Sequence, residues 1–200
     1  PFSVQVDGAS APWASEHRLV RIGLRGRAPE FTRPCVKNLV FLVDVSGSMD
    51  DPAKLPLVQR SLRLLVDELA PEDRVALVVY AGNSGLVLPS TAVDARGHIL
   101  AAIENLKAGG STNGGSGIQL AYQTAREHFA RDGVNRVVLA TDGDFNVGIT
   151  DRDELLRLIE REAKSGVFLS VLGFGTGHLK DATMEQLADK GDGNYTYIDS

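Results

Sequence analysis

Two rhythms of apolar and polar residues divide this chain. From residue 38 onward, runs of Val and Leu recur with almost no polar interruption: NLVFLVD (38–44), RVALVVYA (74–81), RVVLATD (136–142) and VFLSVLGFG (167–175). A strand covered on one face alternates, whereas an unbroken apolar run predicts a strand buried on both faces, hence a parallel sheet between two layers of helices. The intervening segments keep helical spacing. Residues 56–69 place Val58, Leu62, Leu65 and Leu69 on one face, with Pro56 accommodated in a first turn. Residues 94–106 set Ile99, Ala102, Ile103 and Leu106 in one stripe, and 117–131, 151–164 and the shorter 181–189 repeat the pattern. GLVLPS (85–90), with Pro89 near its end, predicts a short antiparallel edge strand, and NYTYID (194–199) closes the series. The order β-α-β-β-α-α-β-α-β-α-β predicts an α/β fold with a doubly wound, mainly parallel open sheet. Ligands of such sheets sit beyond the carboxyl ends of the strands.

Residues 1–33 follow the other rhythm. FSVQV and RLVRIGL alternate apolar with polar positions, as half-exposed strands do. The expected organisation is therefore a domain over residues 38–200 preceded by an N-terminal β extension over 1–37, either an appended ribbon or the remnant of an adjacent domain.

Composition narrows the class. Two hundred residues with 43% apolar and 24% charged content suit one globular domain with a sizeable core. No apolar run approaches the roughly 20 residues needed to span a bilayer, so this segment is not expected to insert in a membrane. A chain opening on Pro1 rather than Met is expected to be a processed or excised piece of something longer, and its lack of a leader says nothing about compartment. The single cysteine, Cys35, has no internal partner for a disulfide or a zinc site and reads as a small half-buried thiol. A net charge of −5 disfavours nucleic acid as a partner. The balance is uneven: residues 1–37 carry +3 and the remainder −8, the basic lead reading as the solvated face of a strand pair.

Three loops carry candidate chemistry. In FLVDVSGSMDDP (41–52), Asp44 ends the first buried strand, and Ser46 and Ser48 follow at alternate positions. Taken alone, that pattern is equally a turn or a helix cap. In KAGGSTNGGSG (107–117), five glycines between Gly109 and Gly117 free the backbone around Ser111, Thr112 and Asn113. The competing reading is a helix connection capped by Thr112 or Ser111. In LATDGDFN (139–146), Asp142 leaves its strand as Asp44 leaves the first, and by itself Asp-Gly is a turn. If the two strands are parallel neighbours, their aspartates lie side by side, and one would be forced neutral unless a cation lay between them. Carboxylates and hydroxyls, without sulfur or imidazole, suit a hard divalent ion such as Mg²⁺.

In that order, D-x-S-x-S at 44–48, a threonine in a glycine-rich loop and T-D-G after the fourth core strand resemble the metal-ion-dependent adhesion site of von Willebrand factor type A domains. The resemblance covers about residues 38–199 and implies a Rossmann-like fold. It implies Ser46, Ser48 and Thr112 as direct or near-direct metal ligands, and Asp44 and Asp142 as ligands through water or directly. The ion implied is Mg²⁺, with Mn²⁺ or Ca²⁺ as alternatives. A protein partner would supply an Asp or Glu; for the adhesive members the resemblance implies two arrangements, with Thr112 and Asp142 trading places in direct coordination. The wording NLVFLVDVSGSM, AGGSTNGG and ATDGDFNVG is similar to bacterial envelope proteins of this family and to inter-alpha-trypsin inhibitor heavy chains. The lead PFSVQVD is similar to the start of the bacterial ones, which implies a bacterial cell-envelope or extracellular location. Asp50, Asp51 and Asp144 fall outside the family pattern and read as solvated loop acids. Ser111 and Asn113 read as holding their own loop, and His17, His98, His128 and His178 as surface residues.

Enzymatic readings fit less well. None of Ser46, Ser48, Ser111 and Ser116 stands in a G-x-S-x-G elbow, and GGSTNGG lacks the lysine of a P-loop. GFGTGH carries His178 where a dinucleotide fingerprint needs its third glycine. A Mg²⁺-dependent phosphohydrolase with Asp44 as nucleophile would have its companion acid at Ser46. With both aspartates committed to a metal, no base remains to activate water. The expectation is a non-enzymatic protein-binding module. Its alternatives are a metal that only staples the loops, with partners bound elsewhere such as the basic ribbon, and the phosphohydrolase-like enzyme.

Overall fold

The computed structural model describes residues 2–26, 35–81, 84–109, 114–143, 152–175 and 181–199. It divides into two compact units, residues 1–34 and 35–200. In the first, β1 (Phe2–Ala11) and β2 (Ala14–Gly26) form an antiparallel hairpin with an irregularity at Ser10/Ala11. The register pairs Val4 with Leu24 and Val6 with Ile22, which puts these apolar side chains on one face of the ribbon.

The second unit contains β3 (Lys37–Asp44), α1 (Leu55–Asp67), β4 (Arg74–Tyr80), β5 (Ser84–Ala92), α2 (Arg96–Glu104) and α3 (Gly114–Glu127). It continues with β6 (Val134–Thr141), α4 (Arg152–Lys164), β7 (Val167–Phe174), α5 (Asp181–Lys190) and β8 (Tyr195–Ile198). The sheet order is β5-β4-β3-β6-β7-β8, parallel throughout except for the antiparallel edge strand β5. This is the doubly wound, mainly parallel arrangement the apolar runs predict, and each predicted strand and helix of this unit forms within a few residues of its expected bounds.

The unbroken apolar character of β3 has a direct cause. Odd positions Leu39, Phe41 and Val43 pack under α1 and α2 with Val58, Leu62, Ile99 and Ile103. Even positions Val40 and Leu42 pack under α3, α4 and α5 with Ile118, Tyr122, Ile159 and Met184. Both faces of the strand exclude water, so the positions from Leu39 to Val43 are all apolar, and the buried polar residues at its ends, Asn38 and Asp44, are hydrogen-bonded. The buried stripe of α1 is Leu55, Val58, Leu62 and Val66; Leu65 is only partly buried, a rotation of the expected face. No helix among the described residues is long and apolar enough to cross a membrane.

From β3 the chain passes to β4 and β5 on one side, then returns to β6 on the other. The strand order therefore reverses between β3 and β6, and such a switch point opens a crevice beyond the carboxyl ends of the two strands. Asp44 and Asp142 lie at that edge.

Candidate metal centre at the sheet edge

Strand alternation gives Asp44 the same side of the sheet as Val40 and Leu42, and burial there is complete: its relative exposure is 0%. Parallel register sets Asp44 beside Tyr80 of β4. The Tyr80 hydroxyl, equally buried, donates to Asp44 Oδ2 at 3.0 Å. The backbone N–H of Ser46 donates to Oδ1 at 2.9 Å, and the Thr141 hydroxyl reaches Oδ2 at 3.4 Å. Burial pushes the Asp44 carboxyl above its ordinary range, and the charge of Asp142 adds to that push, while the Ser46 and Tyr80 hydrogen bonds pull it back. Burial, with the charge of Asp44, holds the Tyr80 phenol protonated far above its ordinary range.

The two serines do not cap a helix. Ser46 precedes a 3-10 turn, Gly47–Met49, but its side chain makes no capping hydrogen bond. Its hydroxyl instead lies 3.0 Å from the Ser48 hydroxyl. Met49, buried in the core beneath α1, anchors the turn, and Ser46 is itself only 3% exposed. The turn reading of D-x-S-x-S accounts for the Ser46 N–H bond and leaves both hydroxyls unexplained. The N–H of Gly109 donates to the Val45 carbonyl at 2.8 Å, tying the start of the glycine-rich loop to this turn.

Asp142 arrives from the other side of the switch point. The register Val43↔Ala140 brings Thr141, not Asp142, level with Asp44, so the two carboxylates are staggered by one residue rather than side by side. They remain close enough for the charge of Asp142 to act on Asp44. The next residue, Gly143, takes a φ of 95° that strains any residue with a β-carbon, and its N–H approaches the Thr141 hydroxyl at 3.3 Å. The Asp142 side chain is 4% exposed and forms a 2.8 Å ion pair with Lys54 at the start of α1.

Of the five expected ligands, Asp44, Ser46, Ser48 and Asp142 come to one edge, and Thr112 lies outside the described residues. Ser111, Asn113, Asp144 and His178 also lie outside them. Asp50 and Asp51 are exposed, as are His17, His98 and His128. Cys35 is partly buried and contacts the carbonyl of Asp132. Among the described residues no three His, Cys, Asp or Glu side chains gather as a metal site, so a centre here depends on hydroxyls as well as carboxylates. That donor set fits a hard divalent cation: two carboxylates match its charge, and neutral oxygens complete the shell. The raised Asp44 carboxyl is a buried charge that a cation would stabilise. Tyr80, Thr141 and Lys54 were not anticipated from the sequence.

Comparison with known proteins converges on one family. A sequence model of the von Willebrand factor type A domain matches residues 38–200. The chain is 45% identical over 200 residues to the uncharacterized protein YfbK of Escherichia coli, covering 100% of this chain and 35% of YfbK. It is 31% identical over 170 residues to human inter-alpha-trypsin inhibitor heavy chain H4, covering 80% of this chain and 18% of that protein. It thus spans about a third of the first relative and less than a fifth of the second. Manganese-loaded TRAP protein of Plasmodium vivax shares the fold at a TM-score of 0.66 and 20% identity, over 82% of this chain and 68% of TRAP.

Proposed function

We propose that this chain, which belongs to the von Willebrand factor type A domain family, is a divalent-metal-dependent protein-binding module that captures an Asp or Glu carboxylate of a partner. The observation that carries this reading is the convergence of Asp44, Ser46, Ser48 and Asp142 where the strand order reverses. In this reading those four residues, with Thr112 from the glycine-rich loop, hold Mg²⁺ or Mn²⁺. The ion supplies an electrophilic point to which a carboxylate oxygen binds. The chain's own residues do the rest. Met49 pins the serine turn to the core, while Tyr80 and Thr141 orient the Asp44 carboxylate. The capturing unit is residues 38–200, with 1–37 an extension, and a cell-envelope location belongs to the same reading. Binding is preferred to catalysis because both carboxylates are engaged, one by hydrogen bonds from Ser46 and Tyr80 and the other by Lys54, so neither is free as a base.

The test separates holding a metal from using it. Thr112→Ala should weaken binding of an acidic peptide at saturating metal much more than it weakens metal binding, whereas Ser46→Ala should damage both. A Thr112→Ala protein that binds the peptide as well as wild type would reduce the metal to a staple between loops.

A further inference from the structure

The cation that the structure sets against this acidic edge is a side chain. The Lys54 ammonium donates to Asp142 Oδ2 at 2.8 Å and to the Ser48 carbonyl at 3.0 Å. It therefore joins the two loops that bring Asp142 and the serine pair to the edge. Its own helix does not favour it there. Lys54 stands at the N-cap of α1, and the first turn of that helix has no acidic residue. A helix N-terminus is electropositive and disfavours a cation. The lysine stem has a prepared seat at the end of β7: a β-carbon on Gly175 would come within 3.1 Å of Lys54 Cε. Gly175 also has a φ of 115°, in the region open to glycine. The Lys54 side chain is a quarter exposed and that of Asp142 nearly buried, so this pair is less screened than an ordinary surface ion pair.

We infer that Lys54 is a fixed positive charge of the metal site, which competes with the ion for Asp142 and makes the loaded edge cationic so that it draws a carboxylate. This rests on the metal reading above. Two aspartates balance one divalent ion, and Lys54 leaves a net charge of about +1, which one partner carboxylate neutralises. Without Lys54 the loaded edge is already neutral before a partner arrives. Lys54 therefore acts in opposite directions on two equilibria, weakening metal binding and strengthening carboxylate capture. A lysine that merely braced the loops would affect both in the same direction.

The experiment uses Lys54→Met and Lys54→Gln, two neutral variants of similar length, and Lys54→Arg, which keeps the charge. Calorimetric titration with Mn²⁺ should show affinity about tenfold tighter than wild type in the neutral variants, with Lys54→Arg near wild type. A capped Gly-Glu-Gly peptide, titrated at saturating Mn²⁺, should then bind the neutral variants about tenfold more weakly. Circular dichroism in EDTA identifies any variant that fails to fold, and the second neutral variant then decides. Neutral variants that bind Mn²⁺ no tighter than wild type, or bind the peptide equally well, overturn the role of Lys54 alone. Wild-type protein that takes up no Mn²⁺ overturns the metal reading itself.

Discussion

The ends of β3 and β6 read alike in sequence, each an apolar run closing on an aspartate, and differ in what surrounds the carboxylate. Asp44 is fully enclosed, and the donors that reach it are a backbone N–H, a phenol and hydroxyls, all neutral. Asp142 has an ammonium 2.8 Å away on a neighbouring helix start. Hydrogen bonds orient a buried carboxylate without cancelling its charge, so Asp44 keeps a carboxyl displaced upward by burial. The two aspartates are therefore not equivalent halves of a site. The β3 end is enclosed, oriented by hydrogen bonds and short of positive charge. The β6 end is already compensated, so an ion gains less there.

The strongest way to break this comparison is to neutralise the β3 end. Asp44→Asn should weaken Mn²⁺ or Mg²⁺ binding by about 100-fold or more, while the apo protein melts no lower than wild type because a buried charge has been removed. The same variant should lose metal-induced stabilisation, which in wild type amounts to about 2.7 kcal/mol at 100 times the dissociation constant. Calorimetry and thermal melts with metal and with EDTA read both outcomes. Unchanged affinity would remove Asp44 from the site. Neutralising the β6 end should cost less. Asp142→Asn is expected to weaken the ion by about tenfold, since in the wild-type protein the ion must share that carboxylate with Lys54 and gains less from it. A loss as large as that of Asp44→Asn would make the two ends equivalent. The smallest effect should come from Tyr80→Phe, which removes one donor to the Asp44 carboxylate. It should destabilise the protein by about 1–2 kcal/mol in EDTA, and by less with saturating Mn²⁺, as the cation takes over part of the compensation. Equal losses in both conditions would place Tyr80 outside the electrostatics of the site.

How much of this was legible in the sequence follows from which forces are local. The strands are legible because burial on both faces leaves no polar position between Leu39 and Val43, the interior of the run NLVFLVD. The edge strand could be read from Pro89. The face of α1 is rotated from the one its spacing predicts: helical spacing admits Leu65 and Val66 almost equally, and the sheet beneath buries Val66. Asp44, Ser46 and Ser48 were legible because one short loop carries them. Tyr80 was not, since a tyrosine in RVALVVYA reads as core, and only the register Asp44↔Tyr80 reveals the use of its hydroxyl. Lys54 was least legible. Its partner Asp142 is 88 residues away, and the sheet order, not any local pattern, brings α1's start to the end of β6.

Crystals soaked in Mn²⁺ and measured at the manganese absorption edge show whether a divalent ion sits at the serine turn against Asp44. One dominant anomalous peak is expected about 2.1 Å from the hydroxyl oxygens of Ser46 and Ser48, abolished in Asp44→Asn crystals soaked identically. No peak at that edge, or one that persists in Asp44→Asn, would contradict that placement.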